Sequence, residues 1–204
     1  MLYSELQCSP AIHQAVERMG FAEMTEIQEK TIPVMMAGHD VIAKAPTGTG
    51  KTCAFGIPVA EHIDPEKKYP QAVIMAPTRE LAQQIAEELT ELTYFMPEVQ
   101  VACVYGGANM EKQARRLAEG CQIVVATPGR LMDHYKHHSI DLAHVTQVVL
   151  DEADEMLNMG FYKDVRHIIE LMKARKSLSM FSATISREVM DIGWLYQHLS
   201  LIHI

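Results

Sequence analysis

The stretch Asp40-Val41-Ile42-Ala43-Lys44-Ala45-Pro46-Thr47-Gly48-Thr49-Gly50-Lys51-Thr52 reads as a short apolar strand, a glycine turn and the first residues of a helix. Gly48 and Gly50 permit a tight turn that aims several backbone N–H groups at one anion. Lys51 adds a charge suited to β- and γ-phosphates, and the Thr52 hydroxyl is suited to a Mg²⁺ ion. The helix that follows brings its positive dipole end to the same place. Ala45, Pro46, Thr47 and Thr49 complete this candidate phosphate loop. The general pattern wants glycine where Ala45 stands, so the match is imperfect, but strand, turn, Lys-Thr and helix come in the right order.

Outward from this stretch, short apolar runs alternate with longer segments of helical period. Strands are expected at Asp40–Ala43, Ala72–Ala76, Gln100–Tyr105, Gln122–Ala126, Gln147–Leu150 and Leu178–Phe181. They are continuous apolar runs, the pattern of strands covered on both faces. Helices are expected over Lys51–His62, Arg79–Tyr94, Met110–Glu119, Gly129–His134, Phe161–Ala174 and Arg187–Gln197, with a helical preamble over residues 3–37. Leu81, Ile85, Leu89 and Leu92 share one helix face, and Asn109 and Gly120 bracket another helix as N-cap and C′ residue. The fold class is therefore α/β, a parallel sheet with helices on both faces. Ligands in such a sheet bind at the carboxyl ends of the strands.

The chain has 204 residues and a formal net charge of −8, with 48% hydrophobic and 22% charged residues. That composition excludes disordered and fibrous classes, and the length suits one large domain at about 150 residues per domain. The acidic balance argues against coating nucleic acid by bulk charge, though a few aimed donors need no basic average. No apolar run approaches the roughly 18 residues of a membrane span, and no basic patch leads into an apolar stretch at the N-terminus. The reading is a soluble cytoplasmic domain with no membrane partner. Cys8, Cys53, Cys103 and Cys121 have no metal-ligand spacing and read as reduced, mostly buried residues. His134, His137 and His138 lack acidic or thiol partners at ligand spacing and read as a solvated helix end, as Lys112, Arg115 and Arg116 read as a solvated face.

Asp151-Glu152-Ala153-Asp154 follows the fifth strand. Carboxylates packed at a strand end repel one another unless a cation balances them, so beside a phosphate loop the cluster seeks Mg²⁺. Asp151 is expected to hold the metal through water, and Glu152 to orient and deprotonate an attacking water. Ser182-Ala183-Thr184 follows the last strand. Pro77-Thr78-Arg79-Glu80, Gly106-Gly107 and Thr127-Pro128-Gly129-Arg130 each offer N–H groups at a helix start or glycine turn, and two add a guanidinium. Singly these are capped turns; together they are the parts of a grip on a phosphodiester backbone that reads no bases.

In order and nearly end to end, these segments resemble the N-terminal RecA-like domain of DEAD-box RNA helicases. Ala45–Thr52 is similar to that family's motif I, where alanine is usual at the first position. Pro77–Leu81 is similar to motif Ia, Gly106-Gly107 to the glycine doublet, Thr127–Arg130 to motif Ib, Asp151–Asp154 to motif II and Ser182–Thr184 to motif III. Glu155–Phe161 matches what usually follows motif II. Gly20–Gln28 resembles the adenine-reading Q motif, with Met24 and Glu26 where prolines are usual. The resemblance implies that Gln28 meets the adenine edge, that Thr25 steadies its amide, and that Tyr3, where Phe is usual, stacks on the base.

It further implies ATP and Mg²⁺ as cofactors, with Lys51, Asp151 and Glu152 catalytic and Thr52 and Asp151 at the metal. Single-stranded or duplex RNA is expected to be held by its backbone at Pro77, Thr78, Arg79, Gly106, Gly107 and Thr127–Arg130. Asp154, Ser182 and Thr184 are expected to couple hydrolysis to strand separation. The implied organisation is a preamble over residues 1–37, a RecA-like ATP-binding domain over 38–198, and an atypical tail over 199–204. The tail, Leu-Ser-Leu-Ile-His-Ile, is similar to a translated sequencing adapter, the alternative being an edge strand over Leu201–Ile204. A C-terminal RecA-like domain that would supply arginines is not in the sequence, so the chain is expected to bind nucleotide and hydrolyse it poorly alone. The competing readings are a non-catalytic RNA or nucleotide-binding module and a DNA translocase on the same fold.

Overall fold

The computed structural model describes residues 1–198 together with the backbone of Ile202–His203; Leu199, Ser200, Leu201 and Ile204, most of the atypical tail, lie outside the described residues. The strands are β1 (Val41–Lys44), β2 (Ala72–Met75), β3 (Val101–Val104), β4 (Ile123–Ala126), β5 (Gln147–Asp151), β6 (Ser177–Ser182) and the two-residue β7 (Ile202–His203). All pair in parallel, in the order β3-β4-β2-β5-β6-β1-β7. The helices are α1 (Pro10–Arg18), α2 (Glu26–Met36), α3 (Lys51–Glu61), α4 (Arg79–Leu92), α5 (Met110–Ala118), α6 (Pro128–Lys136), α7 (Ala153–Asn158), α8 (Tyr162–Leu171) and α9 (Arg187–Tyr196).

The strands' period of two is hidden in the sequence because both faces are apolar. Val41, Ala43, Ile74, Val125, Val149 and Phe181 face one core, with Phe55 and Ile57 of α3 and Ile85, Leu89 and Leu92 of α4. Ile42, Val73, Met75, Val124, Val148, Leu150 and Met180 face the other, with Leu131 of α6, Met156 of α7, Val165 of α8 and Val189 of α9. Helices α3 and α4 touch closely at Gly56, where an added Cβ would stand 2.8 Å from Leu92 Cδ1.

Several local expectations need correction. Strand β1 begins at Val41, and the buried Asp40 before it uses its carboxylate to accept from Leu178 N at 2.8 Å and His198 N at 2.7 Å. Ala82 takes the core position expected of Leu81, which is only half-buried. The Asp-Glu-Ala-Asp segment itself opens a short helix, α7, that the apolar pattern did not reveal. His134 is not solvated: it is fully buried in α6, while His137 and His138 are exposed. The cysteines are free, with Cys53 and Cys121 buried.

Candidate nucleotide and nucleic-acid site

The strand order divides the carboxyl edge of the sheet. Strands β5, β6 and β1 are neighbours and carry Asp151–Asp154, Ser182–Thr184 and the phosphate loop; β3, β4 and β2 are neighbours and carry the three grip segments.

In the first half, Gly50 is the N-cap of α3 at φ 78°, a left-handed conformation open to glycine without strain. Two of the loop's carbonyls are tied down from α2: Thr25 Oγ1 donates to Thr49 O at 2.9 Å and Gln28 Nε2 to Gly50 O at 3.1 Å. A trans peptide sets its N–H opposite its C=O, so these bonds point the N–H groups of Gly50 and Lys51 away from α2. Thr49 Oγ1 closes the turn on Pro46 O at 2.8 Å.

Lys51, buried, reaches past β6 so that its Nζ stands 3.1 Å from Asp151 Oδ1 and 3.8 Å from Glu152 Oε1. Burial pushes the Asp151 carboxyl above the usual range, and the Lys51 charge pulls it partly back. Glu152 is held at φ 48°, a left-handed conformation unusual for a glutamate. Its N–H donates to Asp151 Oδ1 at 2.9 Å and its carboxylate accepts from Thr47 Oγ1 at 3.4 Å, which keeps the side chain over the phosphate loop. The Thr52 hydroxyl and the Asp151 carboxylate are an all-oxygen pair beside a phosphate loop, the donor set Mg²⁺ takes when phosphates supply further ligands.

Ser182 lies between these two segments. Its carbonyl accepts from Ala45 N at 2.9 Å, and its Oγ accepts from Asp154 N at 3.1 Å while donating to Thr184 O at 2.7 Å. Asp154 Oδ2 accepts from Thr184 Oγ1 at 2.8 Å and Thr184 N at 3.1 Å. Burial raises the Asp154 carboxyl, but these bonds outweigh it and hold the group below its ordinary range. Thr184→Ala is therefore expected to destabilise the fold by about 1.5–3 kcal/mol at pH 7, the range for a hydrogen bond to a charged group. A depressed pKa contributes stability above the unfolded-state value that is lost as pH falls through the folded-state value. The difference from wild type in urea unfolding should accordingly shrink below about pH 4, and a constant difference down to pH 2 would take the effect away from the Asp154 charge.

A cavity of about 430 Å³ beside the loop is lined by Tyr3, Phe21, Thr25, Gln28, Gly50 and Glu88 among others, a volume in the range of small-ligand pockets. Tyr3 does not present its ring as expected. It is 4% exposed, packs on Phe21 with ring centroids 6.4 Å apart, and donates its hydroxyl to Gln28 Oε1, since a buried phenol needs a partner. The exposed aromatic at this cavity is Phe21, at 45%. Phe21 lies within Gly20–Gln28, where its residue type alone gives it no role in the sequence. Gln28 is also buried: Oε1 accepts from Tyr3 and from Thr25 N at 3.0 Å, and among the described residues one Nε2–H has no partner. Glu88, half-buried on α4, went unnoticed because only the crossing of α4 over α3 brings it here; burial raises its carboxyl.

In the second half, Thr78 caps α4 through Leu81 N at 3.2 Å, and the exposed Arg79 lies over the Tyr105 ring at 5.1 Å. Gly106 and Gly107 are exposed, the latter at φ 84°. Arg130 Nη1 donates to Ala108 O at 2.9 Å and to Gln113 Oε1 at 3.1 Å. Pro77, Thr127 and Pro128 are buried, and Thr127 N is taken by Val104 O at 3.1 Å, so these three shape the turns rather than offer side chains to a ligand. Gly129 and Arg130 lie in the first turn of α6, where backbone N–H groups have no partner inside the helix. Sequence reasoning missed Tyr105, Gln113 and His134, which link the segments.

The DEAD/DEAH box helicase family model matches residues 25–192, spanning both halves of this edge. The chain belongs to the DEAD/DEAH box helicase family. It is 48% identical over 96% of its length to the ATP-dependent RNA helicase CshA of Listeria monocytogenes, and 43% identical over 93% to the ATP-dependent RNA helicase DeaD of Escherichia coli. It covers 38% and 30% of those two proteins. A DEAD box protein from Methanococcus jannaschii superposes with a TM-score of 0.91 at 38% identity, covering all of this chain and 56% of that one. The hypothetical ATP-dependent RNA helicase from Sulfolobus tokodaii gives 0.87 at 39% identity, over 95% of this chain and 56% of that one. Among the described residues no helix is long and apolar enough to cross a membrane.

Proposed function

We propose that this chain is the nucleotide-binding half of an ATP-dependent RNA helicase of the cytoplasm. It would bind ATP at the phosphate loop, grip the RNA sugar-phosphate backbone at the segments after β2, β3 and β4, and work with a C-terminal RecA-like domain. The observation that carries this reading is Lys51, poised beneath the phosphate loop between Asp151 at 3.1 Å and Glu152 at 3.8 Å. A cation so placed can turn to β- and γ-phosphates, and the carboxylate of Glu152 above it is suited to orient water and take its proton. Thr52 and Asp151 would hold Mg²⁺, which when bound supplies charge neutralisation at the phosphates. Asp154, tied to Thr184 and Ser182, supports a path from the nucleotide to β6 and the segment after it. A preference for RNA would come from 2′-hydroxyl contacts.

Fluorescence of a labelled ADP analogue and anisotropy of a labelled single-stranded RNA, with a DNA of matched sequence as competitor, test the reading together. Expected are saturable ADP binding and RNA binding that DNA displaces poorly; equal displacement favours a DNA translocase, and no ADP binding overturns the assignment. Gln28→Ala is expected to weaken ATP more than GTP. The remaining Nε2–H would suit an acceptor both purines own, such as N7, so adenine discrimination requires Oε1 to be released from Tyr3 or Thr25. Equal weakening would leave Gln28 only its role in bracing Gly50.

A further inference from the structure

Beneath the grip runs a largely buried polar network. Gln113 of α5 is 8% exposed and His134 of α6 fully buried, while the Arg130 side chain is 13% exposed. Gln113 Nε2 donates to Tyr105 O at 3.0 Å, which fixes which end of the amide faces the strand. Gln113 Oε1 then faces Arg130 Nη1 at 3.1 Å and His134 Nε2 at 3.0 Å. A carbonyl oxygen accepts and cannot donate, so His134 must carry its proton on Nε2. His134 Nδ1, buried and without a hydrogen-bond partner among the described residues, is then the bare nitrogen of a neutral ring. Burial and the Arg130 charge both hold the His134 pKa below its ordinary value, in agreement with that tautomer.

The same Arg130 nitrogen reaches the Ala108 carbonyl at 2.9 Å. The guanidinium is therefore a strut between the Gly106-Gly107 turn and the first turn of α6, and Gln113 and His134 set its position. We propose that Gln113 and His134 are positioning residues for nucleic-acid binding, holding the Arg130 strut so that the Gly106-Gly107 turn and the α6 N-terminus keep a fixed spacing. This rests on the backbone-grip reading above. An extended strand presents phosphates at regular intervals, so two donors held at fixed spacing bind without the cost of ordering them.

The test is single-stranded RNA binding by Gln113→Leu, His134→Leu, the double variant and His134→Gln, with thermal midpoint and ADP-analogue affinity measured on each. Leu variants lose the hydrogen bonds, whereas glutamine at 134 can present an N–H where Nε2 stood. Expected are RNA affinities about tenfold weaker in both Leu variants, with ADP affinity unchanged because the phosphate loop lies in the other half of the edge. The double variant should lose no more than the worse single one, because both act through one strut, and His134→Gln should recover to within about twofold. Folded Leu variants that bind RNA as wild type does, or strictly additive losses, overturn the proposal. So does a parallel fall in RNA and ADP affinity, the mark of general loosening. Arg79→Ala separates the two levels: if it weakens RNA binding while the Leu variants do not, the grip stands and the positioning role falls. If wild type itself binds no RNA, both fall.

Discussion

Fused through a flexible linker to a C-terminal RecA-like domain of the kind proposed above as its partner, the chain is expected to hydrolyse ATP with single-stranded RNA about 10³–10⁵ times faster than alone. That range is what an arginine finger contributes in phosphoryl-transfer enzymes, where charge spreads over the γ-phosphoryl oxygens in the transition state. This chain offers Lys51 beneath the loop and two carboxylates around it, and the cavity beside the loop is lined by no arginine among the described residues. The arginines nearest in chemistry, Arg79 and Arg130, belong to the other half of the sheet edge and are engaged with Tyr105, Ala108 and Gln113. Phosphate release measured with and without RNA, for chain and fusion, checks this. Equal turnover by the unfused chain would mean the missing positive charge comes from within it.

Lys51→Ala is expected to produce the second large effect, on two observables at once. Removing one partner of a desolvated charge pair in a binding site costs about 2–5 kcal/mol of affinity, so the ADP analogue should bind at least about 30-fold more weakly. The fold should suffer separately, because Asp151 is 1% exposed and loses the cation that balances its carboxylate. Stranding a buried carboxylate this way costs about 3–5 kcal/mol. The sign of the pH dependence follows from the raised Asp151 pKa. An acid raised in the folded state binds more protons there than when unfolded, so stability falls as pH rises through the folded value. Urea unfolding should therefore show the variant's deficit largest at neutral pH and narrowing as the pH falls and Asp151 takes up a proton. A deficit independent of pH would place the damage in packing rather than in the stranded charge.

Much of this was legible beforehand because its cause is local. Continuous β-branched runs make strands wherever both faces will be covered; Thr78 and Asn109 cap helices because a short oxygen side chain reaches N3. The glycines at 48, 50 and 107 stand where φ is positive. Readings failed where a residue's neighbour comes from a distant segment. Tyr3 looked available to a base, but it is buried against Phe21 with its hydroxyl on Gln28. His134 looked solvated because its two companions are, yet it sits one turn earlier on the face of α6 that meets Gln113. Asp40 looked like the first strand residue; the ladder begins at Val41, and the Asp40 carboxylate takes the amides of Leu178 and His198.

By itself the sequence determined the parts: a phosphate loop, a carboxylate cluster, hydroxyls after a strand and three donor-rich turns, each set by residue type at short spacing. Only the tertiary structure decided which parts work together. In chain order the phosphate loop comes before the grip segments and the carboxylates after them, but the sheet order β3-β4-β2-β5-β6-β1 sorts them into two groups. Hydrogen bonding between parallel strands fixes that order through crossovers of many residues, which local propensity does not encode. It is what carries Lys51 across β6 to Asp151, and what sets Arg130 against Ala108 from a strand away.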